Sequence, residues 1–407
     1  MANRDGGMLR SPTFFVGAEK QRKDLDGFQR REQMLAEAYH ENKVLCYNAR
    51  AYQKTHPVKA RQGHRDADAT LEAPMILGVA DGVSQIEDFG IDSSELPNQL
   101  LNICEELGMA QLAPASDGST DDPYRGPIPL VREAFESTDC LGSTTLVLAL
   151  LDNSTKIHGK PHPMIAVISV GDCELLILRR AHGRNSPLEL IFNTEMQRVD
   201  GHAQTPLQIA RVDDRIDPNF YEGLTVEVIE RGSAVHCVSA YEGDIIIMGS
   251  DGVFDNLFHD EIVALANSTF QRQFPTPDSL LSLLARQIVE ACHMKTQLDH
   301  RTGMLGESPI GRGGKMDDTS CVVAEVVEWT DAHQKIWAPA SRRSSAPWTN
   351  ILNCGSGCAA DEDDVDDYDD EEMMPPGHKP SRRGNSQAAN SSSQEEEEDD
   401  SSHCALS

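Results

Sequence analysis

The sequence predicts one α+β domain over roughly residues 60–330. Eight short apolar runs rich in Val and Ile, cut by Gly, Pro and Asp, have the length and composition of strands. Two longer stretches carry helical spacing, and the texture changes at both ends of the span. Residues 1–60 are mixed and charged, with a helix expected within FQRREQMLAEAYHENKVLCY (28–47). The strand candidates are then MILGVA (75–80), STTLVLALL (143–151), MIAVISV (164–170), CELLILRR (173–180) and LELIF (188–192). LTVEVIE (224–230), DIIIMGS (244–250) and TSCVVAEVVEW (319–329) complete the set. Helices are expected at LPNQLLNICEEL (96–107) and at 278–294. In the second, Leu280, Leu281, Leu284, Ile288 and Val289 share a face behind Asp278 as N-cap. The Pro/Gly/Ser-rich stretch 113–129 reads as a loop.

Composition narrows the function. With 407 residues and 39% apolar content the chain can bury a large core. A net charge of −30 disfavours nucleic acid as the main partner, because phosphates repel acid. No apolar run reaches membrane-spanning length, and the first 20 residues lack the apolar core of a secretory signal. The ten cysteines are scattered without a C-x-x-C pair, which suits a reduced, intracellular compartment.

The chemistry is carried by aspartates at strand ends. Asp81 closes MILGVA, and Asp251 closes DIIIMGS with Asp255 four residues on. Asp172 sits in the turn of MIAVISVGDCELLILRR; Asp317 and Asp318 precede the last strand. A single Asp-Gly is ordinary turn chemistry. These aspartates beside apolar strands could instead converge, provided something offsets their repulsion. Mg²⁺ or Mn²⁺ would do so through oxygen ligands, and Gly82 would let the backbone approach an ion closely. A phosphatase with an Asp nucleophile needs Asp-x-Asp, which Val83 and Val253 rule out. P-loop, zincin and G-x-S-x-G motifs do not occur.

The segments GVADGVS, LGSTTLVLALLD, VISVGDCELLILRR, GDIIIMGSDGVFDNL and GGKMDDTSCVVAEV stand in an order that resembles the metal-dependent PPM family, the protein phosphatase 2C-like Ser/Thr phosphatases. The ADGV and FNT (192–194) elements resemble its T-cell-activation branch most closely. The resemblance covers residues 61–328. It implies a four-layer α-β-β-α sandwich, with two antiparallel sheets flanked by helices and two Mn²⁺ or Mg²⁺ ions at one edge. By position, Asp81 resembles the bridging aspartate and Gly82 its carbonyl-donating neighbour, while Asp251 and Asp317 match further ligands. Asp172 and Asp255 match the acids of a third, weaker metal position. The first acidic motif falls in RQGHRDADA, with Asp66 preferred to Asp68 as the residue folding back beside Asp81.

On this resemblance the expected reaction is hydrolysis of phosphoserine or phosphothreonine in proteins by a hydroxide bridging two ions. The alternatives are a pseudophosphatase acting as a regulatory binding module and a phosphatase of small metabolites. Val83 stands where many relatives have a candidate acid His, and Ser84-Gln85 replaces a usual Gly-Gly. Arg61 reads either as a phosphate-binding Arg or as a solvated surface charge.

Beyond Trp329, regular structure fades into low-complexity acid. Residues 361–407 hold 16 acidic and three basic side chains, a composition expected to stay disordered. Cys404-Ala405-Leu406-Ser407 fits a C-a-a-X prenylation signal, with Cys354 and Cys358 as candidates for a second lipid. The expected partners are a phosphoprotein substrate and, through Cys404, a membrane surface. The expected state is a monomer, cytoplasmic or peripheral to a membrane, with a mitochondrial location suggested by family analogy alone.

Overall fold

The Val- and Ile-rich runs pair into two five-stranded antiparallel sheets in the computed structural model, which describes residues 43–114, 123–180, 183, 186–199, 205–270 and 274–341. The chain opens with β1 (Leu45–Lys54), α1 (Pro57–Gln62), β2 (Asp68–Ala73) and β3 (Ile76–Asp81). Helices α2 (Glu95–Leu112) and α3 (Pro127–Glu136) follow. Next come β4 (Gly142–Thr144), β5 (Leu146–Asp152), β6 (Met164–Val170), β7 (Glu174–Arg179), β8 (Glu189–Asn193) and β9 (Ile209–Arg211). After α4 (Glu222–Glu227) the chain forms β10 (Ala234–Ser239), β11 (Ile245–Gly249) and the one-turn α5 (Asp251–Phe254). Helices α6 (His259–Thr269) and α7 (Asp278–Lys295) lead to β12 (Thr319–Glu328) and α8 (Asp331–Ser341).

One sheet runs β1-β12-β11-β7-β8 and the other β10-β6-β5-β3-β2, while β4 and β9 make a separate two-stranded ladder. Side chains alternate across each strand, and in the central strands both sets are apolar and buried. Leu77, Val79, Val147, Ala149, Ile246, Met248, Val322 and Ala324 fill the space between the sheets. Ile76, Ala80, Leu148 and Ile168 face outward against Leu100, Leu101 and Cys104 of α2 and Leu130 and Phe135 of α3. On the other side Leu176, Ile247 and Val323 meet Leu281, Leu284, Ile288 and Val289 of α7. The result is the expected four-layer α-β-β-α sandwich. Each fully buried Leu or Ile contributes about 1.5–3 kcal/mol. Among the described residues no helix is long and apolar enough to cross a membrane.

Several local expectations change. LTVEVIE is helical rather than a strand, because Thr225 and Ile229, one helical turn apart, are the buried positions. The sheet begins before residue 60, since β1 pairs with β12 along its full length. Asp278 is not an N-cap: Pro277 holds that place, and Asp278 instead accepts hydrogen bonds from Asn48 and Arg50. Most of the expected N-terminal helix, the loop core 115–122, the acid runs and Cys354, Cys358 and Cys404 lie outside the described residues.

Candidate metal centre

The turn between β2 and β3 sets the site. Ala73 pairs with Ile76, so the ladder continues out to Asp68 opposite Asp81. This corrects the expectation that Asp66 lies beside Asp81: a two-residue turn leaves Asp66 two positions past that pair. There its carboxylate accepts the backbone N–H of Asp68 at 3.2 Å. Asp68 is 3% exposed, and both its oxygens lack a hydrogen-bond partner. Burial, and then the charge of Asp66, push its carboxyl well above the usual range, and the hydroxyls of Ser320 and Ser250 partly offset this.

The GSTT segment holds the backbone of Asp81. The Asp81 carbonyl accepts the N–H of Thr145 and the hydroxyl of Thr144, both at 2.9 Å. Val83 N–H continues the clamp to the Ser143 carbonyl. Gly82 is needed for space as well: a Cβ there would lie 2.2 Å from the Ser93 carbonyl oxygen and 2.7 Å from that of Ala67. Burial, and then the charges of Asp68, Asp251 and Asp317, push the Asp81 carboxyl well above the usual range. Four acids from β2, β3, α5 and the approach to β12 therefore press on one region.

Asp251 opens α5 directly after β11, and Asp255 closes it. Lys315 donates to Asp251 and, at 2.8 Å, to Asp317. Lys59 of α1 donates to Asp317 and Asp318, each at 2.7 Å. Burial works against the Asp317 charge, but these two ammonium groups outweigh it and hold its pKa down to about 2. Asn256 fixes the Lys315 backbone from both sides, accepting its N–H at 2.9 Å and donating to its carbonyl at 3.0 Å. Asp172, in the β6–β7 turn, is 2% exposed. Burial and then Asp251 push its pKa up to about 7. Burial likewise raises Asp255 to about 6. Arg198 lies between these last two acids, 3.5 Å from Asp172 and 3.4 Å from Asp255.

Whether these residues suit divalent ions can be judged from their chemistry. Among the described residues no three His, Cys, Asp or Glu side chains close tightly enough to hold an ion, and Lys59 and Lys315 stand among the acids instead. Yet buried oxygens of Asp68, Asp172, Asp251 and Asp318 have no hydrogen-bond partner. Orphaned buried carboxylates are costly unless a cation meets them. Hard oxygen donors of this kind fit Mg²⁺ or Mn²⁺ around Asp68, Asp81, Asp251 and Asp317. The pair Asp172–Asp255 differs in that a cation of the chain already stands there: the Arg198 guanidinium hydrogen-bonds Asp255 and lies 3.5 Å from Asp172 Oδ2, leaving Oδ1 of Asp172 without a partner.

Sequence reasoning missed Lys59, Lys315, Arg198 and Asn256. Lys315 carried a signal, since it stands two residues before Asp317, whereas Lys59 is brought in only by tertiary folding. Arg61 is exposed and donates to the Pro57 carbonyl of its own helix, as a surface charge does.

No protein-family model matches the chain. It is similar to "Probable protein phosphatase 2C 62" of Arabidopsis thaliana, 26% identical over 274 residues covering 66% of this chain and 32% of that protein. It is also similar to "Protein phosphatase PTC7 homolog" of Homo sapiens, 25% identical over 280 residues covering 66% of this chain and 78% of that protein. Among solved structures, the photosystem II phosphatase PBCP is similar at 23% identity and a TM-score of 0.47, covering 69% of this chain and 98% of that one. The chain spans less than two thirds of the length of the first of these relatives. It is thus similar to proteins named as enzymes of the protein phosphatase 2C type.

Proposed function

We propose that this chain is a metal-dependent protein phosphatase that hydrolyses phosphoserine and phosphothreonine esters. The observation that carries the reading is the meeting of Asp68, Asp81, Asp251 and Asp317 from four separate elements, with buried oxygens of Asp68 and Asp251 lacking a hydrogen-bond partner. The named relatives support it. Within the family, the ADGV and FNT elements favour the T-cell-activation branch, and a PTC7 homologue is among the similar proteins.

The chain's own residues do most of the positioning. Thr144 and Thr145 hold the Asp81 backbone so that its carboxylate and the Gly82 peptide face the site. Asn256 holds Lys315, and Lys315 and Lys59 fix the carboxylate of Asp317 from two sides. When bound, Mn²⁺ or Mg²⁺ supplies Lewis acidity and lowers the pKa of water to give a nucleophile at neutral pH. A phosphate dianion cannot approach this many acids unless cations outweigh them, so turnover requires the ions. Of the first-motif acids, the register favours Asp68 as the inner residue and leaves Asp66 for an outer, indirect role.

Lys59 and Lys315 among the acids favour one second reading, a pseudophosphatase that binds without turnover. Hydrolysis of a phosphopeptide with Mn²⁺ separates the two, with sugar phosphates as the comparison for a metabolite enzyme. Asp81→Asn and Asp251→Asn are each expected to lower kcat/KM on the order of 100-fold or more. Activity that survives both substitutions, or survives EDTA, overturns the phosphatase reading.

A further inference from the structure

Asp172 and Asp255 stand beside the main cluster, and Arg198 lies between them. Its Nη2 is 3.5 Å from Asp172 Oδ2 and 3.4 Å from Asp255 Oδ1. The two acid side chains are 3% and 7% exposed, so the charges meet where water screens them little.

The position of Arg198 is built into the fold. Gln197, the residue before it, donates its backbone N–H to the Gly171 carbonyl at 2.7 Å and accepts the Gly171 N–H on its side chain at 3.2 Å. Its amide also donates to the Gly232 carbonyl at 2.8 Å. Gln197 thus bolts the Arg198 backbone to the very turn that carries Asp172. Gly171 permits the approach: its φ is +99°, and a Cβ there would lie 2.6 Å from the Leu207 carbonyl oxygen. Leu207 in turn donates its N–H to Gln197, closing the hairpin around Arg198.

We propose that Arg198 replaces, in this chain, the third metal ion expected at Asp172 and Asp255, so that the centre takes two divalent ions and not three. The inference rests on the metal-centre reading given above. A guanidinium is permanently charged and weakly hydrated, and here a single nitrogen, Nη2, lies within 3.5 Å of both carboxylates. A hydrated Mg²⁺ or Mn²⁺ in the same gap would need several oxygen ligands at about 2.0–2.2 Å and would meet the arginine's charge at contact distance.

The test is Mn²⁺ stoichiometry of the full chain by equilibrium dialysis, checked by native mass spectrometry. Wild type is expected to bind two ions. Arg198→Met is expected to gain a third, which Asp172→Asn added to it removes, while Arg198→Lys stays at two. Arg198→Gln serves as the second charge-free variant, with circular dichroism reporting folding. Three ions in wild type, or a charge-free variant that folds and stays at two, overturns the proposal. So does a rise in KM for phosphopeptide with stoichiometry unchanged, which would make Arg198 a phosphate ligand. A wild-type protein that binds no Mn²⁺ overturns instead the reading on which this one rests.

Discussion

Asp81 and Asp251 each precede a glycine, and both glycines are demanded by neighbouring backbone. A Cβ on Gly252 would lie 2.0 Å from the Asp318 carbonyl oxygen, as one on Gly82 would strike Ser93. Chain packing around the acids, as much as any approach to an ion, fixes these two residues; the sequence could show the glycine but not what leans on it. His293 is a different kind of residue-scale feature. It is 5% exposed, packs edge-on against His56 and has no partner on either ring nitrogen. Burial, then His56, lowers its pKa to about 4. Between pH 6.5 and 4 the unfolded chain takes up a proton that the folded chain refuses, so stability is lost as pH falls through that window. The loss is expected to be about 2 kcal/mol. Urea unfolding at pH 7 and pH 4.5 should show a smaller drop for His293→Gln than for wild type.

At the scale of elements, a single turn decides which acid enters the centre. The β2–β3 hairpin turns on Pro74 and Met75, and its register carries Asp68 to Asp81. Asp68→Asn is therefore expected to weaken Mn²⁺ binding by at least tenfold, and Asp66→Asn by a few-fold, in isothermal titration calorimetry. Equal losses would remove the distinction. Long buried strands were legible in sequence because both faces are apolar, as in β5 and β12. Strands β1, β2 and β10 were not, because polar or charged residues interrupt their apolar positions. LTVEVIE fits period 2 and period 3.6 equally over seven residues, and only the packing of Thr225 and Ile229 decides between them. The acids Asp81, Asp172, Asp251 and Asp317 could be read from strand ends, and Lys315 from its place beside Asp317, whereas Lys59 could not, since it lies 258 residues from Asp317.

The described domain is a sandwich whose layers are apolar and whose candidate metal centre is crowded with like charge. Divalent ions should stabilise it by mass action, binding the folded chain and not the unfolded one. Saturating Mn²⁺ is expected to raise Tm by several degrees over EDTA at pH 7.5, with Asp81→Asn losing most of the increment. An unchanged Tm would argue against ions at this place.

Lys59 and Lys315 also have a mechanical consequence. Their ammonium groups meet Asp251, Asp317 and Asp318. Lys59 thereby ties α1, near the start of the described domain, to the segment that leads into its last strand. A load that pulls the first strands away from β12 has to break these two ion pairs as well as the ladder between β1 and β12.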